Sequence, residues 1–216
     1  MKILIACEES QAVTSELRFL GHEAYSCDIQ DTSGQYPEYH IKSDVLPLLN
    51  GYTSFHTTDG KKHNINSNWD MIIGFPPCTY MAASSACRMY QNKKVNLERY
   101  NKAMQAKIFF LQIYNADCKK IAIENPVPLS IIELPKYNQL IQPYYFGDPY
   151  SKRTCLWLKG LPPLMPTCFD YDYTYWVSSN KNYKGIQSSA KMRAKTFPGI
   201  AKAMARQWTG CAFYDI

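Results

Sequence analysis

The sequence predicts a single α/β domain with a mostly parallel β-sheet and helices on both faces. The main reason is that short runs of β-branched residues alternate with amphipathic runs at helical spacing in the first half of the chain. The length of 216 residues suits one domain of ordinary size. With 46% hydrophobic and 19% charged residues, the chain has enough apolar material for a packed core.

The first βα unit is the clearest element. Residues Lys2 to Ala6 are predicted as a buried strand, and apolar positions at helical spacing predict a helix from Gln11 to Leu20, which Gly21 ends. The other predicted elements are strands at 23–28 and 40–42, a brief helix at 44–49, a strand at 69–74, a helix at 96–114, strands at 120–124, 142–146 and 154–158, and a last helix from about 198 to 208.

The composition narrows the possible classes of protein. The eight cysteines include no C-x-x-C pair, so we expect reduced thiols and no metal site. No apolar run reaches the roughly 18 to 20 residues of a membrane span, so we expect a cytoplasmic protein. A formal charge of +6 is compatible with a polyanionic partner but does not establish one.

The most informative segment is Gly74-Phe75-Pro76-Pro77-Cys78-Thr79. A strand that ends in two prolines holds the thiol of Cys78 on a stiff backbone beyond the sheet edge. This arrangement is typical of a nucleophile, and the alternative interpretation is a buried cysteine in a turn. Glu124 ends the next predicted strand, so parallel pairing brings the two side chains close together.

A thiol beside a carboxyl group suits one reaction on pyrimidines. The sulfur adds to C6 of the ring while the acid hydrogen-bonds N3 and the exocyclic amine of cytosine. C5 then becomes nucleophilic and takes an electrophilic methyl group, and loss of its proton releases the enzyme. The alternative interpretation of Glu124 is an ordinary carboxylate at a strand end.

These segments resemble the DNA cytosine-5 methyltransferases, whose Pro-Cys and Glu-Asn motifs match Pro77-Cys78 and Glu124-Asn125 in the correct order. The chain is most similar to a compact family of phage and prophage cytosine methyltransferases. Further matching stretches are 5–8, 26–28, 44–45, 76–80, 123–126, 155–164, 198–201 and 207–208. They are spread over nearly the whole length of the chain. A phage origin implies that the cytoplasm is that of the bacterial host.

The resemblance implies a Rossmann-like methyltransferase fold that binds S-adenosylmethionine, as one domain over residues 1–216. It places Asp28 at the ribose hydroxyls and Asp44 near the adenine amine, although Asp44 is equally suited to cap the brief helix. The full set of cofactor-binding residues implied by the matching stretches is Ala6, Cys7, Glu8, Ser10, Asp28, Ile29, Asp44, Val45, Phe75, Pro76 and Ile200.

The chain departs from the larger family in three places. Cys7-Glu8-Glu9-Ser10 replaces a glycine-rich turn, so the two acidic side chains either meet the cofactor or solvate a helix N-terminus. The place of a Gln-x-Arg-x-Arg motif, whose arginines help to fix the target base and phosphate in the larger family, holds Lys152 and Arg153. Either residue can take this role as the catalytic cation, and the alternative interpretation is a solvated cation in a loop. Residues 164–195 form a reduced target-recognition segment or a plain surface loop.

The resemblance implies DNA as the partner, either double- or single-stranded. The residues assigned to nucleic-acid contact are Thr79, Tyr80, Ser84, Ser85, Lys181 and Lys184. The segment at 164–195 mixes aromatic and basic residues, as stacking and phosphate contact require. Because it offers few side chains to read bases, we expect short or relaxed sequence recognition.

Two other functions remain open. One is a degenerate homologue that binds nucleic acid without turnover, which the altered first turn favours. The other is a modifier of free pyrimidine nucleotides with the chemistry of thymidylate synthase, although Thr79 stands where that enzyme has histidine. Methylation of an amino group is disfavoured because Phe75 offers no acceptor for an amine.

Overall fold

A seven-stranded sheet in the order β10-β12-β9-β6-β1-β2-β3 forms the centre of the protein. The computed structural model describes residues 1–169, 172–178 and 186–211. The strands are β1 Lys2–Ala6, β2 Glu23–Asp28, β3 His40–Lys42, β4 Thr53–His56, β5 Lys62–Ile65, β6 Met71–Gly74, β7 Tyr90–Gln91, β8 Lys94–Val95, β9 Ile121–Pro126, β10 Gln139–Ile141, β11 Tyr150–Ser151, β12 Thr154–Lys159, β13 Thr174–Ser178 and β14 Ile186–Ser188.

The helices lie between these strands. They are α1 Ala12–Phe19, α2 Ala86–Met89, α3 Leu97–Tyr114, α4 Ala190–Ala194 and α5 Pro198–Thr209, with 3-10 turns at Pro37–Tyr39, Leu46–Leu48, Ala83–Ser85, Ser130–Ile132 and Pro143–Phe146. Among the described helices, none is long and apolar enough to cross a membrane.

The central sheet is mostly parallel, as the sequence predicts. Strands β3, β2, β1, β6 and β9 all pair in parallel, and β12 pairs antiparallel with both β9 and β10. The strand order reverses at β1, which lies between β2 and β6. The carboxyl ends of β1, β2, β6 and β9 therefore share one edge, where open α/β sheets bind ligands.

Helices cover both faces of the sheet. Alternate strand residues point to opposite sides, and the central strands β1 and β6 are buried at nearly every position, so both faces are apolar. On one face, Phe110 of α3 meets Trp157 of β12 edge-on, with ring centroids 5.1 Å apart. On the other face, α1 and α5 pack Leu17 and Met204 against the sheet, and both side chains are fully buried. The mixed α/β class is therefore confirmed.

Some predicted elements are wrong or incomplete. The strand expected at 142–146 is wrong, because the strand is Gln139–Ile141 and a 3-10 turn begins at Pro143, whose ring cannot donate to a ladder. The helix expected at 44–49 is only the 3-10 turn Leu46–Leu48. Within residues 164–195, predicted as a reduced target-recognition segment or a plain surface loop, β13 and β14 form strands and join β11 in a three-stranded sheet. The hairpins β4–β5 and β7–β8 were not predicted.

The turn after β1 is held by a buried carboxylate. Glu8 is only 3% exposed. Its Oε1 accepts from the Val13 N–H at 2.7 Å, and its Oε2 accepts from the Thr14 hydroxyl at 2.6 Å. Burial raises the pKa of Glu8 to about 7, although these hydrogen bonds lower it. Glu8 therefore satisfies the N-terminus of α1, which is one of the two roles that the sequence left open.

We expect the stability of the protein to fall between pH about 4.5 and pH about 7 because of Glu8. Its pKa is about 7 in the folded protein against an ordinary 4.5, so the folded state holds this proton more tightly than the unfolded chain. The stabilisation is fully present below pH about 4.5 and is lost as the pH rises through about 7, by roughly 3 kcal/mol in the free energy of unfolding.

Denaturant unfolding over this pH range measures the effect. Glu8→Gln keeps an oxygen that can accept from the Val13 N–H but does not titrate, so its free energy of unfolding should change less with pH. Glu16→Gln controls for the loss of one carboxylate from the same part of the fold. A pH dependence in Glu8→Gln as steep as in the parent contradicts the assignment.

Candidate active site

The loop after β6 places Cys78 at the carboxyl edge of the sheet. The N–H of Phe75 donates to the Ala6 carbonyl at 2.9 Å, which continues the pairing of β6 with β1. The Cys78 carbonyl then accepts from the N–H groups of Met81 and Ala82, each at 3.0 Å. Cys78 is partly exposed, so its thiol is not sealed in the core.

The loops after β6 and β9 are joined to each other. Asn125 is only 1% exposed, and its Nδ2 donates to the Pro76 carbonyl at 3.0 Å. Further along, the N–H of Ala83 donates to the Val127 carbonyl and the N–H of Leu129 donates to the Met81 carbonyl, both at 2.8 Å. These bonds fix the Pro-Pro-Cys turn relative to the strand that carries Glu124.

The electrostatics of Cys78 connect it with Glu124 and with two cations. Burial raises the pKa of the Cys78 thiol, and the charge of Glu124 raises it further. The charges of Lys152 and Arg193 lower it. The structure thus brings the two predicted catalytic groups, Cys78 and Glu124, into one site with Lys152.

Glu124 lies on β9 and is partly buried. Burial raises its pKa, while the charge of Lys152 and a hydrogen bond with Thr154 lower it. A raised pKa favours the protonated acid, which can donate one hydrogen bond and accept another. That combination is complementary to N3 and the exocyclic amine of cytosine.

The structure distinguishes the two predicted cations. Lys152 is partly buried, its charge acts on both Cys78 and Glu124, and its Nζ donates to the Arg193 carbonyl at 2.9 Å. Arg153 is exposed, and its charge lowers the pKa of Cys155 instead. The geometry therefore favours Lys152 over Arg153 as the cation of this site.

Sequence reasoning missed two residues of this site, Arg193 and Thr154. Arg193 lies on α4, within the predicted target-recognition segment or loop at 164–195, and no motif marks it. Thr154 was included in the predicted strand only as a structural residue. Its hydroxyl lies 3.2 Å from the Lys152 carbonyl and also interacts with Glu124.

A second cluster lies at the ends of β1, β2 and β3. Burial raises the pKa of Cys7, and the charges of Asp28 and Asp44 contribute to the rise, so these three predicted residues lie together. Ile29, beside Asp28, is 75% exposed. Asp44 accepts from the Leu46 N–H at 3.0 Å, so it also shapes the turn before the 3-10 helix.

The turn after β1 has a backbone typical of glycine without containing one. Cys7 and Gln11 have φ angles of 61° and 58°, in the left-handed region that side chains disfavour. Gly34 lies against Gln11 so closely that a Cβ at this position would collide with the Gln11 side chain. Strained backbone at Cys7, beside the carboxylates of Asp28 and Asp44, is typical of a functional turn.

Several residues assigned to the cofactor are unavailable through their side chains. Ala6, Val45 and Ile200 are buried in the core, and the Ala6 carbonyl is bonded to Phe75. The carboxylate of Glu8 is used by α1, so its assignment to the cofactor is corrected to a structural one. The remaining assigned residues are Ser10 and Phe75, both partly buried, and Pro76, which is buried.

The residues assigned to nucleic acid lie just beyond Cys78. Thr79 and Ser84 are exposed, whereas Tyr80 and Ser85 are partly buried. Arg99 of α3 fixes this loop, because its Nη2 donates to the Thr79 carbonyl at 2.6 Å. Its guanidinium also stacks over the Tyr80 ring, 5.0 Å from the centroid. The other two assigned residues, Lys181 and Lys184, lie outside the described residues.

One segment contacts both the loop after β2 and Lys152. Just after α4, Lys195 donates from Nζ to the Ser33 hydroxyl at 2.9 Å, in the loop after β2. Near the end of α4, the Arg193 carbonyl accepts from the Nζ of Lys152 at 2.9 Å. Residues 193–195 therefore connect the loop that follows Asp28 with the cation of the Cys78 cluster.

A depression of about 790 Å³ lies at the amino ends of β1, β6 and β9. The residues that line it include Asp70, Asp117, Lys119 and Lys120. None of the predicted site residues lines it.

No protein-family model matches the chain, and a comparison with curated proteins finds no significant match.

We expect Asn125→Ala to destabilise the Pro-Pro-Cys turn. The substitution leaves the buried Pro76 carbonyl without its donor, which should lower the free energy of unfolding by roughly 1 to 3 kcal/mol. Urea denaturation measures this loss, with Asn101→Ala on the exposed side of α3 as the control. Equal stability of the two variants contradicts a role for the Asn125 amide in holding the turn.

We expect Lys152→Met to raise the pKa of Cys78, because it removes a charge that stabilises the thiolate. The pH midpoint for alkylation of Cys78 by iodoacetamide should move upward, and the rate at pH about 8 should fall at least about threefold. Peptide mass spectrometry in a Cys87→Ser background isolates the signal, since Cys87 is exposed.

The matched control for this measurement is Arg153→Met, which removes the same charge one residue along the chain. Lys152→Arg should restore the parent midpoint because it keeps the positive charge. A larger shift in Arg153→Met than in Lys152→Met reverses the choice between the two cations.

Proposed function

We propose that this protein transfers a methyl group from S-adenosylmethionine to C5 of cytosine in DNA. The observation that carries the proposal is the joint placement of Cys78 and Glu124 at the ends of the adjacent parallel strands β6 and β9. The sheet order, with its one reversed strand β12, is compatible with the methyltransferase fold that the resemblance implies.

Each catalytic group has a defined task in this reaction. Cys78, as the thiolate, forms a bond to C6 of the cytosine while Glu124 in its acid form donates to N3 and accepts from the exocyclic amine. As N3 takes the proton of Glu124, the electron pair of the C5–C6 double bond moves to the C4–C5 bond, so C5 becomes nucleophilic. After C5 has taken the methyl group, solvent water accepts the C5 proton, and the electrons of the C5–H bond re-form the C5–C6 double bond and expel the thiolate of Cys78. The proton on N3 then returns to Glu124.

Lys152 supports both tasks through its charge. It lowers the pKa of Cys78 and so increases the fraction of thiolate, which burial and the charge of Glu124 otherwise reduce. Protonation of Glu124 removes the negative charge that opposes ionisation of the thiol. The proton on Glu124 and the thiolate on Cys78 therefore favour each other.

The acidic cluster at the other end of the edge suits the adenosine part of the donor. The carboxylates of Asp28 and Asp44 accept hydrogen bonds, as ribose hydroxyls and an adenine amine require. The exposed side chain of Ile29 offers an apolar surface beside them. S-adenosylmethionine supplies the methyl group when it is bound there.

The exposed residues after Cys78 suit a nucleic acid. Thr79 and Ser84 present their side chains to solvent beside the nucleophile. A base inside a duplex must leave the stack before Cys78 can reach C6, at a cost of a few kcal/mol. Tyr173 and Tyr175, which are 38% and 59% exposed, offer aromatic surface for unstacked bases.

The test of this proposal is methyl transfer from labelled S-adenosylmethionine to duplex DNA, single-stranded DNA, RNA and deoxycytidylate. We expect label at C5 of cytosine in DNA. Cys78→Ser should abolish transfer and keep the fold, whereas Cys87→Ser should keep parent activity. Glu124→Gln should lower kcat at least about 100-fold with little change in cofactor affinity, because the amide cannot provide the acid proton in the same way.

The other outcomes identify the alternative functions. Label only on deoxycytidylate indicates a nucleotide modifier, and DNA binding without label on any substrate indicates a non-catalytic homologue. Full activity in Cys78→Ser rules out the covalent mechanism. Glu124→Ala, which removes both the acid proton and the bulk of the side chain, should also lose turnover. A similar loss in Glu124→Gln and Glu124→Ala indicates that the acid proton matters, and a much larger loss in Glu124→Ala indicates that the bulk matters too.

A further inference from the structure

A basic hairpin follows the nucleophile loop. After α2, strands β7 and β8 pair antiparallel through Tyr90–Val95 and Gln91–Lys94. Asn92 and Lys93 form the two-residue turn between them, with φ angles of 49° and 62°. Two positive φ angles are what a type I′ turn requires, and this turn keeps a short hairpin tight.

The hairpin is anchored at its base and exposed along its length. Met89, the last residue of α2, is fully buried, and its carbonyl accepts from the Asn96 N–H at 2.8 Å. Arg88, Lys93 and Lys94 are all exposed. The hairpin therefore presents two positive side chains, and Arg88 adds a third from the preceding helix α2.

No acidic residue lies close to these cations in the sequence. Residues 71–97 contain no Asp or Glu. The next acid in the chain, Glu98, is already paired with Lys102 at 2.7 Å. Within the part of the chain that the structure describes, no ion pair involves Arg88, Lys93 or Lys94.

The hairpin is connected to Cys78 by ordered backbone. The segment between them is tied to the loop after β9 by the bond from the Ala83 N–H to the Val127 carbonyl. Ser85 closes the same turn by donating from its hydroxyl to the Ala82 carbonyl at 2.8 Å. These contacts fix the backbone that leads from the nucleophile loop to the hairpin.

We propose that Arg88, Lys93 and Lys94 form a phosphate-binding surface that holds the DNA backbone beside the target cytosine. The surface is exposed and positive, which suits a chain of phosphates more than a single buried nucleotide. The proposal rests on the proposed function in its choice of DNA as the polymer. It adds that this hairpin is a contact that a nucleotide-level enzyme does not need.

The test measures binding of a fluorescent duplex of about 20 base pairs by anisotropy across a series of salt concentrations, without S-adenosylmethionine. The variant Lys93→Asn/Lys94→Gln removes two charges, and asparagine tolerates the left-handed backbone at position 93. The slope of log Kd against log salt should fall by about 2, and Kd at about 0.1 M salt should rise at least about tenfold.

The matched control is Lys62→Gln/Lys119→Gln, which removes two charges from exposed positions on β5 and at the opposite edge of the sheet. We expect the control to keep the parent slope. Lys94→Gln and Arg88→Gln, outside the turn, should each lower the slope by about 1 and serve if the change at Lys93 disturbs the hairpin.

The outcomes separate this proposal from the proposed function because binding is measured without methyl transfer. A fall in slope confined to the hairpin variants supports the phosphate-binding surface even if no methyl group is transferred. An unchanged slope, an equal fall in the control, or no binding of the duplex by the parent overturns it, even if methyl transfer to DNA occurs.

Discussion

The connection between the loops after β6 and β9 is the constraint on which the site depends. The Asn125 amide donates to the Pro76 carbonyl, and the backbone around Ala82 and Ala83 pairs with the segment that follows Glu124. Parallel pairing of β6 with β9 brings the strand ends together but does not fix the loops beyond them. The added bonds hold the thiol of Cys78 in a fixed relation to the carboxyl group of Glu124.

Negative and positive side chains have opposite effects on the pKa of Cys78. Burial raises the pKa values of both Cys78 and Glu124, and the charge of Glu124 further raises the pKa of Cys78. Lys152 and Arg193 oppose this effect at the thiol. A site with one thiolate, one neutral acid and nearby cations is therefore electrostatically reasonable, and it is the state that the proposed addition to cytosine requires.

The turn after β1, beside Asp28 and Asp44, forms a left-handed backbone without glycine. The chain lacks glycine in the turn after β1, yet Cys7 and Gln11 adopt the left-handed backbone that glycine adopts easily. Buried hydrogen bonds from Val13 and Thr14 to Glu8 help to hold this turn. The missing glycines therefore do not prevent the chain from forming the compact turn that leaves Asp28 and Asp44 beside Cys7.

Local patterns were sufficient to predict most of the central sheet and the residues at its edge. β1, β2 and β3 have the bounds that apolar runs and their ends predict, and Cys78 and Glu124 could be placed by the prolines that end or follow their strands. What the sequence left open depended on contacts between distant residues. Only the folded chain shows that Lys152 rather than Arg153 faces Cys78 and that Glu8 serves α1, because the direction of a side chain follows from strand register and packing, which a single sequence does not encode locally.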